Sequence, residues 1–82
     1  MGFPANQRAL LLSVKGVGPT VVSRLEQLGF DSLPALAAAD TRDILVQAAA
    51  MLGSSCWKNS PQARAAIDGA IEAARRAAAA SD

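Results

Sequence analysis

Histidine and tyrosine are absent from this 82-residue chain, and cysteine and tryptophan occur once each, as Cys56 and Trp57. Without histidine there can be no Ser-His or Cys-His pair to activate a nucleophile, and no imidazole metal site. A lone thiolate does not hold zinc and cannot close an intrachain disulfide. The seven acidic residues are scattered. Asp40 and Asp43 stand where they would cap and complement a helix start, so a paired-carboxylate acid–base or metal site has no support. Neither catalysis nor a metal or cofactor is expected.

Net charge is also nearly missing. Eight Lys and Arg against seven Asp and Glu leave +1, too little for a field that collects nucleic acid from a distance, so any such affinity must come from a local patch. No apolar run approaches the roughly 18 residues of a membrane span. The stretch from Ala9 to Val14 is cut off by Lys15 too soon for a signal-peptide core. A small domain outside the cell is usually stapled by several disulfides. The single cysteine therefore points to a reducing, cytoplasmic compartment.

What the chain does have is aliphatic residues. Hydrophobic content is 51%, yet only two Phe and one Trp contribute aromatics, and 19 residues are alanine. That composition suits close-packed helices, and the length allows one domain over 1–82 with a core that must be well packed. An all-α fold is expected. Gly2 and Pro4 make 1–4 a frayed arm unless Phe3 docks on the core, and 77–82 is expected to fray as well.

Helix-periodic apolar positions mark the elements. A first helix starts near Ala5 or Asn6 and carries Leu10, Leu11 and Val14. A second carries Val21, Val22, Leu25 and Leu28 and stops at Gly29, with Phe30 folding back. Asp31 or Ser32 caps a short connector through Leu33 and Leu36 to Ala39, with Pro34 in its first turn. Asp40 caps a helix whose apolar face is Ile44, Leu45, Ala48, Met51 and Leu52, ended by Gly53. Ser60-Pro61 opens a last helix with the stripe Ala63, Ile67, Ala70, Ile71 and Ala74. Arg64/Asp68 and Glu72/Arg76 fall at i,i+4 on its outer side.

Between the first two helices lies Val14-Lys15-Gly16-Val17-Gly18-Pro19-Thr20. Gly16 and Gly18 reach positive φ without steric cost, and Pro19 fits the first position of a helix. With Gly18 as N-cap, the amides of Gly18, Thr20 and Val21 lack helical partners and stand at the positive end of a helix dipole, which makes an anion site. A nucleotide-binding strand-turn-helix is the rival for a Gly-x-Gly. The third glycine and the Gly-Lys-Ser/Thr of a P-loop are missing, and no second β-like run follows.

From Leu11 to Phe30 these residues resemble the helix-hairpin-helix family, and more loosely the whole chain resembles small stand-alone bacterial proteins of the pathogenicity-locus or mitomycin-resistance type. The resemblance implies a five-helix, double helix-hairpin-helix domain related to sterile-alpha-motif-like folds. Its second hairpin is degenerate, since Leu52-Gly53 has no Gly-apolar-Gly. It also implies that hairpin amides hold phosphates of duplex DNA without reading bases, with Gly16, Val17, Gly18 and Thr20 in contact. Two positions depart from the family pattern: Thr20 stands where DNA-binding members often have Lys, and Lys15 where Pro is common. Lys15 becomes the main charged contact and Arg24 an auxiliary one. Arg8, Arg75 and Arg76 read as ordinary surface charge. The alternative is a protein-interaction or oligomerisation domain whose hairpin is only structural, and a homodimer could double a weak single site.

Trp57 is expected to plug the core beside small alanines, so Trp57→Ala should cost about 3 to 5 kcal/mol in chemical unfolding. As the one tryptophan, it should emit well to the blue of free indole in water. A water-like emission maximum in the native protein contradicts its burial.

Overall fold

The computed structural model describes residues 2–53 and 59–80. Cys56 and Trp57, and with them most of the expected second hairpin, lie outside the described residues. Among the described residues the protein is all-α, with α1 Ala5–Leu12, α2 Pro19–Gln27, α3 Leu33–Ala37, α4 Thr41–Leu52 and α5 Pro61–Ala80. None of these helices is long and apolar enough to cross a membrane.

The helix ends follow the local chemistry of the sequence. Ser32 Oγ accepts from the Ala35 amide, and Asp40 Oδ1 from the Arg42 amide at 2.8 Å. Ser60 Oγ likewise accepts from Ala63 at the start of α5. These side chains satisfy N–H groups that have no acceptor within the helix. At the end of α2 the Phe30 amide donates to the Leu25 carbonyl (3.0 Å) and the Gly29 amide to Glu26 (3.1 Å). Gly29 holds φ +101°, so the paired-bond C-terminal stop is complete, and half-buried Phe30 packs against the core as its hydrophobic contact.

One hydrophobic cluster joins all five helices, with Leu11, Val22, Leu25, Leu36, Ile44 and Ile67 fully buried. Helix α5, about 30 Å long at 1.5 Å per residue, is the post against which α1, α2, α3 and α4 all pack. Its buried stripe contains the expected Ile67, Ala70, Ile71 and Ala74, together with Ala66, while Ala63 is half-buried. The helix does not fray at Ala77: it continues to Ala80, because Ala77 still packs against the core.

Two further expectations are corrected and one is met. Met51 and Leu52 are 42% and 38% exposed, so the core contact of α4 ends at Ala48 although the apolar period runs on. Arg64 does not pair with Asp68, whose carboxylate accepts instead from the Thr41 hydroxyl and so ties α5 to the start of α4. The Glu72–Arg76 pair does form, at 2.5 Å, but with both side chains largely in solvent, where such pairs contribute little.

The N-terminal arm is docked. Phe3 is 6% exposed, its amide donates to Glu26 Oε2 at 2.9 Å, and Arg8 Nη1 reaches both oxygens of the same carboxylate at 3.0 Å. A side chain at Gly2 would overlap that carboxylate, so the end of Glu26 would have to move aside for any other residue. Nearby, Gln7 Oε1 accepts from the Leu33 amide and binds α1 to the start of α3. Glu26 thus holds the arm, α1 and α2 together. Glu26→Ala should cost about 1 to 2 kcal/mol in urea unfolding, the partly exposed Arg8 pair contributing the smaller share. An unchanged midpoint would show that the clasp adds nothing to stability.

Candidate nucleic-acid interface

The α1–α2 hairpin is built from backbone outward. Ser13 closes α1: its amide donates to Ala9 and Leu10 carbonyls, and its hydroxyl to Leu10 O at 2.6 Å. A four-residue turn follows, in which the Val17 amide donates to the Val14 carbonyl at 3.0 Å. Gly16 is the third residue of that turn, with φ +88°, the value a type II turn needs there and one that a Cβ disfavours. Lys15 occupies the second position, which Pro also favours.

Gly18 is the expected N-cap but does not use positive φ. Its φ of −108° and ψ of 179° are extended backbone that any residue adopts. Its function is that of N-cap: its carbonyl accepts from the Val22 amide at 3.2 Å, and Pro19 then takes the first helical position. Only Gly16 uses positive φ in this hairpin.

The result is a run of free donors. Among the described residues, the amides of Gly18, Thr20 and Val21 have no acceptor in the protein, and neither do those of Lys15 and Gly16 in the turn. Lys15, Gly16 and Thr20 are exposed and Gly18 half-exposed, so an anion can reach them. The last two donors escaped the sequence reading because they depend on the turn type. No carboxylate occurs in the sequence between Arg8 and Glu26, and Glu26 is itself occupied by Arg8 and the Phe3 amide. Within the turn itself the charge is therefore that of Lys15 and the start of the α2 dipole.

Val17 and Arg24 stand apart from this group. Val17 is 5% exposed and its amide is spent inside the turn, so it anchors the hairpin to the core and offers no free donor. Arg24 lies one turn beyond Thr20 on the same face of α2. Its Nη1 donates to Gln27 Oε1 at 2.9 Å, and its Nε is buried without a partner. Neither Glu26 nor Asp31 takes it up.

A hollow of about 610 Å³ among the described residues contains none of the hairpin residues. It lies between α4 and α5 and mixes Arg42, Arg64 and Arg75 with Asp40, Asp68 and Glu72. Three of its charged groups are engaged: Asp68 with Thr41, Glu72 with Arg76, and Arg75 Nε with the Ala37 carbonyl at the end of α3. Balanced charge in an open hollow gives an anion less than the hairpin does.

The two hairpin glycines should respond differently to substitution. Gly16→Ala should cost about 1 to 2 kcal/mol, the penalty of a Cβ in the left-handed region. Gly18→Ala, with extended φ and no atom within 4 Å of its Cβ, should cost less than about 1 kcal/mol, as a weaker N-cap. Equal losses in thermal or urea unfolding would contradict the turn geometry. No protein-family model matches the chain, and no curated protein or solved structure matches it either.

Proposed function

We propose that the chain is a non-enzymatic, double helix-hairpin-helix module that holds phosphate groups of duplex DNA without reading base sequence. The observation that carries this is the set of unpaired amides on exposed and half-exposed residues around Gly16 and Gly18, with Lys15 among them and no carboxylate near in sequence. Backbone donors at a helix start bind phosphate through geometry and dipole, and they carry no base information. Lys15, Gly16, Gly18 and Thr20 are the contacts. Val17 fixes the turn from below, and Arg24 is auxiliary once it leaves Gln27. A cytoplasmic location fits this role.

A second reading has its own support. Val46, Met51 and Leu52 expose large apolar surface on α4, and a protein partner or a second copy that covers them would make α4 the interface and leave the hairpin structural.

Binding of a duplex followed against salt separates the two. One hairpin neutralising about two phosphates should give a slope of log K on log salt near about −2, a loss of roughly tenfold between 50 and 200 mM. Lys15→Ala should weaken all sequences alike and lower the slope by about one. Gly18→Asp is the sharper variant: Asp is a strong N-cap and suits the extended backbone at that position, so stability should hold or rise while a carboxylate at the anion site abolishes binding. Wild-type protein that gives no salt-dependent binding at low ionic strength would hand the function to the protein-interaction reading.

A further inference from the structure

We infer that Gly69, midway along α5, is a positioning residue for the hairpin: it leaves the notch that Val14 occupies, and so sets where the turn's free amides stand. Half of the twenty residues of α5 are alanine, a better helix former than glycine. Gly69 is not required by its backbone, since φ is positive only at Gly16, Gly29 and Gly53 among the described residues. What is unusual there is space. A methyl on Gly69 would fall 3.0 Å from Val14 Cγ1, whereas one on any of the three turn glycines would meet nothing within 4 Å. Ordinary carbon–carbon contact needs about 3.5 to 4.0 Å, so either the methyl or Val14 has to give.

Val14 is poorly able to give alone. It is β-branched and stiff at χ1, and it packs half-buried against the core. Both of its backbone groups also belong to the hairpin: its amide donates to Leu11 O at 3.1 Å, and its carbonyl accepts the Val17 amide that closes the turn. Val17 is in turn anchored in the core. Pressure on Val14 is therefore passed to the turn that carries Lys15 and Gly16, and through Val17 to Gly18. The positioning of the turn stands on this packing alone, while its effect on DNA rests on the function proposed above.

The test compares wild type, Gly69→Ala and the double variant Gly69→Ala/Val14→Ala, reading backbone amide resonances without DNA and duplex affinity at fixed salt. Gly69→Ala should fold, with α5 helicity kept or raised, yet shift the resonances of Lys15, Gly16 and Gly18. Removing Cγ1 in the double variant should return them toward wild type. Losing about one amide–phosphate bond should lower affinity about fivefold in Gly69→Ala, with recovery to within about twofold in the double variant. Resonances that shift and recover in a protein without DNA affinity support the keying and overturn the DNA reading. Hairpin resonances unchanged in Gly69→Ala, or not restored by Val14→Ala, overturn the proposal.

Discussion

Five helices drawn from an aliphatic, alanine-rich chain can share one core only where one of them lets the others approach closely. Helix α5 is built for that. Ala66, Ala70 and Ala74 alternate along its buried side with Ile67 and Ile71, so neighbouring backbones come near while two large side chains fill the space between them. The short α3 packs against it most extensively, held at its start by Ser32 and Gln7 and at its end by Arg75. In so small a core few contacts are redundant, and the hairpin takes its place from the same packing, through Leu11, Val14 and Val17 on one side and Val22 and Leu25 on the other.

Much of this architecture was legible in the chain because it is locally encoded. The caps Ser32, Asp40 and Ser60, the stop at Gly29-Phe30 and the Pro19 and Pro61 helix starts each rest on residues within one turn of one another, and each forms. The periodic stripes identified the core side of α2 and α5. Periodicity failed where burial depends on what stands opposite. Met51 and Leu52 continue the apolar period of α4 but have no described neighbour that buries them. Phe3 could be placed only conditionally, because its docking depends on Glu26, a residue that reads as ordinary helix surface.

The candidate site was legible to the same degree. Its position and most of its donors follow from Gly-x-Gly-Pro at a helix start. The division of labour did not: that Gly16 alone takes positive φ, that Gly18 caps α2 from an extended backbone, and that Val17 points inward are consequences of the turn type. Arg24 was ambiguous because a long side chain can serve either face, and Gln27 claims it here. Gly69 gave no signal, since a glycine in a helix becomes meaningful only when the residue facing it is known.

Nearly balanced charge would make the proposed hairpin site a modest one, whose attraction falls away quickly with distance and salt. Under the proposed function a single hairpin would hold phosphate mainly by the direction of its amides, and the amides themselves are the place to look. The most direct test is a titration of isotope-labelled protein with a short duplex at low salt, following backbone amide resonances. The account requires the largest, sequence-independent shifts at Lys15, Gly16, Gly18, Thr20 and Val21. Shifts centred on α4, or none at any residue, would contradict it.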